Sequence, residues 1–181
     1  MVSRLGLRVL ISSLLFVPVL LGAVEVAART AATPTSSQTT SQQETATTAA
    51  RRAELADLLA RAEKGDADAQ NLLGRYHASG QGVPKDYSQA VAWWRKAADQ
   101  GSAVAQYSVG FMYSTGQGVV QDYVEAHKWR NLAAALASSE NQQEYADTRD
   151  AVAKSMTPEQ LAEAQKRASE WMAAFEKGRI K

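Results

Sequence analysis

The chain has 181 residues, with 20 basic and 19 acidic side chains and a formal net charge of +1. From Arg51 onward, 17 basic residues face 17 acidic ones, and this neutral balance excludes the counterion-release attraction that nucleic-acid binding requires. Cysteine is absent, so no disulfide can staple the fold, and a hydrophobic core must hold it together.

The N-terminal segment is typical of a secretory signal peptide. Arg4 and Arg8 precede an apolar run, VLISSLLFVPVLLGAV, and Val26-Ala27-Ala28 supplies the small residues of a cleavage site. We therefore expect residues 1–28 to be removed and the protein to be exported to the periplasm. The alternative is an uncleaved inner-membrane anchor, although the apolar run is shorter than the ~20 residues that span a bilayer.

Residues 29–50 consist largely of Thr, Ser, Gln and Ala. A stretch of this composition buries too little apolar surface to offset the entropy of ordering it. We therefore predict a disordered linker up to Ala50, followed by one folded domain over residues 51–181.

The domain contains an internal repeat with a period of 36 residues. GQGVPKDYSQAVAWWRKAA begins at Gly80, and GQGVVQDYVEAHKWRNLAA begins at Gly116. Since each copy has the length of one helical hairpin, the period indicates a solenoid. The predicted units are residues 65–100 and 101–136.

Each unit is predicted to contain two helices joined by the Gly-Gln-Gly turn, whose glycines tolerate positive φ. Asp66 and Ser102 are the expected N-caps of the first helices. Capping boxes are expected to open the second helices, at Asp86-x-x-Gln89 and Asp122-x-x-Glu125.

A glycine lies inside the first helix of each unit, at Gly74 and Gly110. Because glycine costs roughly 1 kcal/mol in a helix, we expect a close helix contact there. Trp93 and Trp129 are predicted to cross over these glycines.

The two ends complete the array. Residues 51–64 are predicted to form a lone N-terminal helix, whose apolar stripe includes Leu59. Residues 137–181 are predicted to form a C-terminal capping hairpin. In its second helix Thr157 is the expected N-cap, Pro158 the first helical residue and Gln160 the capping-box partner. Seven helices and no strands are expected in all.

These residues resemble Sel-1-like repeats, relatives of the tetratricopeptide repeat. AQNLLGRYHASGQGVPKDYSQAVAWWRKAA and AQYSVGFMYSTGQGVVQDYVEAHKWRNLAA carry the resemblance. The sequence departs from the family at His77, where tyrosine is usual, and at Val120-Gln121. The resemblance implies an all-α fold, a short right-handed superhelix of antiparallel helix hairpins.

The resemblance also implies an adaptor that binds other proteins, and it places the binding surface on the concave face lined by the first helices. Counted from the paired glycines, that face comprises Asp68, Asn71, Arg75, Val104, Tyr107 and Phe111. We expect Arg75 and Asn71 to hold a carboxylate or a peptide backbone. Tyr107 and Phe111 are the expected apolar anchors.

No catalytic constellation is recognisable. The two histidines, His77 and His127, lie on different helices of different units without companion ligands, so we predict neither a metal nor a cofactor. Glu159, Glu163 and Glu170 are spaced as a charged helix surface rather than a catalytic carboxylate pair.

We therefore expect a non-enzymatic adaptor that binds a protein or peptide partner in the bacterial envelope and regulates it there. One alternative is an envelope enzyme acting on peptidoglycan or β-lactams, which rests on family analogy alone. Another is a self-associating scaffold module, since the sequence does not define the oligomeric state.

Overall fold

The computed structural model describes residues 36–179, with the side chains of 47–178. The predicted signal peptide and the first part of the predicted linker lie outside these residues. The described chain forms seven helices and no strand, which confirms the all-α solenoid. The helices are α1 Ser36–Glu63, α2 Ala67–Ser79, α3 Tyr87–Asp99, α4 Ala103–Thr115, α5 Tyr123–Leu136, α6 Ser139–Ala153 and α7 Pro158–Arg179.

The repeat units begin at the predicted N-caps. Asp66 accepts hydrogen bonds from the backbone N–H groups of Asp68 and Ala69, both at 3.0 Å. Ser102 accepts one from Ala105 at 3.4 Å. These side chains satisfy N–H groups that have no partner within the helix, so each cap fixes where a unit starts.

The second helices are capped at the predicted aspartates. The second bond of each predicted capping box, from the aspartate N–H to the side chain three residues later, does not form. Asp86 accepts from the N–H of Gln89 at 3.0 Å, as expected. Its own N–H donates to the carbonyl of His77 at 2.8 Å, rather than to the Gln89 side chain. The N–H of Asp122 likewise donates to Tyr113, at 3.0 Å. The turn therefore brings each aspartate N–H to a carbonyl of the preceding helix, and this bond replaces the one to the capping-box side chain.

The Gly-Gln-Gly turns end α2 and α4 as predicted. Gly80 has φ 78° and Gly116 has φ 71°, both in the left-handed region where a side chain is disfavoured. Their N–H groups donate at 2.8 Å to Tyr76 and Met112, carbonyls that are left free at the helix ends.

A close contact does form at each helical glycine, but with a different residue from the predicted tryptophan. A Cβ on Gly74 would lie 2.5 Å from the indole of Trp94, and one on Gly110 would lie 2.7 Å from Cγ of Arg130. Trp94 and Arg130 are equivalent in the two repeats. Trp93 is only half-buried, and Trp129 is buried in the layer shared with α7. The predicted crossing was thus wrong by one helical position.

Two buried glutamines tie each unit to the previous one. Gln70 Nε2 donates to the carbonyl of Ala62 at 2.9 Å, and Gln106 Nε2 donates to that of Ala98 at 3.1 Å. Both acceptors lie in the last turn of the preceding helix, where a carbonyl lacks an intrahelical partner. The glutamines therefore bridge the units, a role that the sequence reading did not assign to them.

Helix α1 begins at Ser36, so the predicted disordered linker is wrong for residues 36–50. Extending an existing helix adds one hydrogen bond for each residue fixed, which offsets the low helix propensity of the serines and threonines in this segment. At the other end of α1, Leu58 is buried, whereas Leu59 of the predicted apolar stripe is 40% exposed. Only one side of this terminal helix is covered.

Helix α7 packs chiefly against α5, rather than against α6 as a simple hairpin would require. Trp171 meets Trp129 edge-on at 6.1 Å, and Arg167 Nη1 donates to Glu125 at 3.0 Å. Its predicted start is confirmed: Thr157 and Gln160 exchange hydrogen bonds of 2.9 and 3.3 Å. None of the helices between residues 36 and 179 is long and apolar enough to cross a membrane.

Candidate functional site

The first half of the predicted binding face lies on α2. Asp68 and Arg75 are exposed, and neither makes an ion pair among the described residues. Asn71 is half-buried: its backbone carbonyl accepts from Trp94 Nε1 at 3.2 Å, and its Oδ1 is shielded from solvent. Of the two residues predicted to hold a carboxylate, Arg75 is thus the accessible one.

The second half of the face lies on α4 and is apolar. Val104 is 45% exposed and Phe111 is 41% exposed, an unusual state for large apolar side chains on one side of a helix. Their seven-residue spacing places them two turns apart on the same side of the helix. These two side chains are therefore available to a partner.

Tyr107, predicted together with Phe111 as an apolar anchor, packs within the protein. Its ring stacks on Tyr145 of α6, with centroids 4.5 Å apart and planes 20° from parallel. Burial raises the pKa of the Tyr145 phenol, as does the charge of Glu144. Tyr107 is half-buried and Tyr145 is buried. Their stack joins two repeat units, so Tyr107 forms part of the floor of the site.

Arg130 is buried beneath the Tyr107–Tyr145 stack. From α5 its side chain passes Gly110, where Nη2 donates to Ser114 of α4 at 3.3 Å and Nη1 to the carbonyl of Thr148 of α6 at 3.2 Å. Its guanidinium lies 5.5 Å from the Tyr107 ring. Burial lowers the pKa of Arg130, but an arginine remains charged in a protein. This cation fixes α4 beside α6.

A cleft that the sequence did not predict lies at the N-terminal end of the array. It has a volume of about 410 Å³ and is lined by Arg51, Glu54, Leu55, Tyr76, Gln81 and Gly82. In the next repeat the same junction is closed: Gly118 packs on the backbone of Tyr87, and Ser88 Oγ donates to the Gly118 carbonyl at 3.2 Å. At the first junction α1 instead continues through Ala50, which is the position equivalent to the N-cap Asp86.

Among the side chains that the structure describes, neither histidine belongs to a group of three or more His, Asp or Glu residues that could hold a metal ion. His127 is buried, and that burial lowers the pKa of its imidazole, as does the charge of nearby Arg149. This environment favours the neutral imidazole.

Burial tends to raise the pKa of the Glu125 carboxyl, but the charge of Lys128 opposes it, and so do hydrogen bonds from Lys128, Arg167 and Trp129. The pKa therefore lies below its ordinary value, and the carboxylate is engaged in packing α7 onto α5. Glu163 is bonded to Arg167 at 2.7 Å and belongs to the same ion-pair network.

The caps, turns and repeated core contacts define a helical-repeat solenoid, and comparison with known proteins identifies the repeat. Residues 67–102 and 103–138 match the Sel1 repeat family. Both segments span one predicted period and begin at the first residue of α2 and of α4. The chain therefore carries two Sel1 repeats, which confirms the resemblance seen in the sequence.

A solved structure with an SLR fold agrees with this assignment. The chain is similar to a protective antigen of uropathogenic Escherichia coli strains that displays an SLR fold, with 34% identity and a TM-score of 0.62 over 67% of this chain and 25% of that one. It is also similar to a Sel1 repeat protein from Oxalobacter formigenes, with 37% identity and a TM-score of 0.46 over 50% of this chain and 26% of that one.

The chain thus spans about a quarter of the length of these two proteins. No curated protein matches it. Sel1 repeats generally mediate protein–protein interaction, and proteins built from them are typically non-catalytic scaffolds.

Proposed function

We propose that the protein is an exported, non-enzymatic adaptor of the bacterial envelope. It binds another protein, in the periplasm or at the membrane, through the face formed by Asp68, Arg75, Val104 and Phe111, and regulates that partner. The observation that carries the proposal is the exposure of Val104 and Phe111, at 45% and 41%, on a helix whose opposite side is fully buried.

The arrangement suits a peptide segment better than a small molecule. Val104 and Phe111 form an open apolar surface rather than an enclosed pocket, and Arg75 provides a charged donor on the neighbouring unit. Large apolar anchors with a polar surround are characteristic of protein interfaces. The Tyr107–Tyr145 stack makes this surface rigid, which reduces the entropy lost on binding.

Export is supported by the N-terminal pattern of two arginines, an apolar run and the small residues before Arg29. Mass spectrometry of the protein from fractionated cells tests it. A periplasmic species beginning at Arg29 is the expected result. A full-length species in the membrane fraction would instead establish the uncleaved anchor.

The binding face is tested by alanine substitution of its accessible residues, Arg75 and Phe111. The double variant should lose its partner in chemical crosslinking followed by affinity purification, while its circular dichroism remains that of the parent. Val120→Ala is the matched control, because Val120 is 88% exposed on the second turn, outside the proposed face. Undiminished capture by the folded double variant would refute the face.

A further inference from the structure

The proposed face extends onto α6, because the third unit keeps the register of the second. The N-cap of α6 is Ser138, which follows the N-cap of α4 by one repeat period. Positions on α6 therefore correspond to those on α4 at the same offset. The residues Val104, Tyr107 and Phe111 of α4 are followed on α6 by Glu140, Gln143 and Asp147.

This part of α6 is acidic, and its carboxylates make no ion pair among the described side chains, although Gln143 donates a hydrogen bond to Asp147 at 2.8 Å. Glu140, Glu144 and Asp147 are exposed and share one side of the helix by their three- and four-residue spacing. None of the ion pairs between described side chains involves them; the one ion pair on α6 joins Arg149 to Asp150, at 2.7 Å. A helix N-terminus stabilises an acid in its first turn, which accounts for Glu140. It does not account for Glu144 and Asp147, which lie further along.

The acidic side of α6 and the apolar side of α4 are held next to each other. The Tyr107–Tyr145 stack joins the two helices, and Arg130 donates to both of them from below. The two ring centroids are 4.5 Å apart, so α4 and α6 are neighbours at this level of the structure. A single bound segment can therefore contact Phe111 and Asp147 together.

We propose that α4 and α6 together bind a cationic amphipathic segment of the partner protein. One large apolar side chain of this segment packs between Val104 and Phe111, and a lysine or arginine beside it pairs with Glu144 and Asp147. This inference rests on the proposed function and adds the chemistry of the ligand. The acidic side of α6 would repel nucleic acid and anionic lipid headgroups, which leaves a basic protein segment as the complementary occupant.

A displayed library of random peptides about twelve residues long, selected on the full-length protein, tests the proposal. We expect the selected peptides to be enriched in Lys or Arg next to Leu, Phe or Trp. Selection on the double variant Glu144→Lys/Asp147→Lys should reverse the preference toward Asp and Glu. Both positions are exposed, so the variant is expected to fold.

One selected peptide then gives the magnitude by fluorescence anisotropy. The two charge reversals should weaken its binding about tenfold or more, because each lost pair contributes up to about fivefold and each new lysine repels. Glu176→Lys on α7 is the matched control, and it should change the affinity less than twofold. High salt should weaken the parent complex and leave the charge-reversed variant less affected.

Selection of acidic or uncharged peptides, selection of none, or an unchanged preference after charge reversal would overturn the cationic ligand. The proposed function fails separately. If Phe111→Ala abolishes capture of the cellular partner while the two charge reversals do not, the binding face stands and only the ligand chemistry is wrong. If neither change affects capture, both proposals are wrong.

Discussion

Adding a single methyl group at Gly110 tests how the second repeat is closed. The new Cβ would lie 2.7 Å from Cγ of Arg130 and 3.0 Å from the backbone oxygen of Ala126. The arginine stem is anchored at its far end by two hydrogen bonds, and a backbone carbonyl cannot move without its helix. Gly110→Ala therefore requires α4 and α5 to separate by a few tenths of an ångström.

Two opposing terms set the magnitude. Overpacking in a well-packed interior costs typically about 1–3 kcal/mol. Replacing a helical glycine by alanine returns up to about 1 kcal/mol of helix propensity. The free energy of unfolding should therefore fall by about 1 kcal/mol for Gly110→Ala. For Gly110→Leu the added carbons have no space, and the loss should approach about 3 kcal/mol.

The assay is urea unfolding followed by circular dichroism. Gly178→Ala is the control, since Gly178 lies in the last helix with no heavy atom within 4 Å of the position its Cβ would take. The control should be neutral or slightly more stable than the parent, because it gains propensity without a clash. If Gly110→Ala were as stable as the parent, the close-contact reasoning would be refuted.

Three further predictions concern the pH response, the helix caps and the interior charges, and each is tested by the urea midpoint. The pKa of His127 lies below its ordinary value of 6.5, so the unfolded chain binds a proton that the folded chain does not, and stability falls as the pH drops below that value. His127→Gln should remove this loss and His77→Gln should not; a parallel slope in both variants would contradict the assignment. Thr157→Ala should cost about 1 kcal/mol, whereas Ser138→Ala, at a cap without a side-chain hydrogen bond, should cost clearly less; equal losses would contradict the capping account. Glu125→Ala removes the acceptor of three hydrogen bonds and should lower the free energy of unfolding by about 2–3 kcal/mol. A change below about 0.5 kcal/mol would contradict a stabilising role for these bonds.

The sequence predicted those features that depend on local chemistry. The left-handed glycines at Gly80 and Gly116 and the caps at Asp66 and Thr157 each follow from the residue at one position, with its immediate neighbours. The repeat strengthened these predictions, because the glycine turn and the helix caps occur once in each unit. The number of helices and their order followed from it.

The errors concern features that local chemistry does not determine. Trp93 and Trp94 are adjacent, and the choice between them depends on the rotation of α3 against α2, which is set by packing across the whole interface. The reciprocal bonds of the capping boxes at Asp86 and Asp122 do not form, because the backbone N–H of each aspartate donates to a carbonyl at the end of the preceding helix. The length of α1 was not predicted, because composition alone does not show that its packed C-terminal part will extend the helix into the weakly helical residues before it.

In the candidate site, Val104 and Phe111 are exposed, and their role in binding stays a prediction. The contacts beneath them were not predicted from the sequence. The stacking of Tyr107 on Tyr145 joins residues of different units, for which a single sequence contains no pairing signal. The sequence indicated the extension of the face onto α6 only through the spacing of Ser102 and Ser138, which is one repeat period.

The central claim is that a partner protein binds the face presented by Val104 and Phe111. Its most direct test is in-cell photo-crosslinking from position 111, with the crosslinker at position 120 as the control. Both side chains are exposed, but only Phe111 lies on the face. The account predicts a discrete protein adduct from position 111 and none from position 120. An adduct from position 120 alone, or none from position 111 in cells that contain the folded protein, would contradict it.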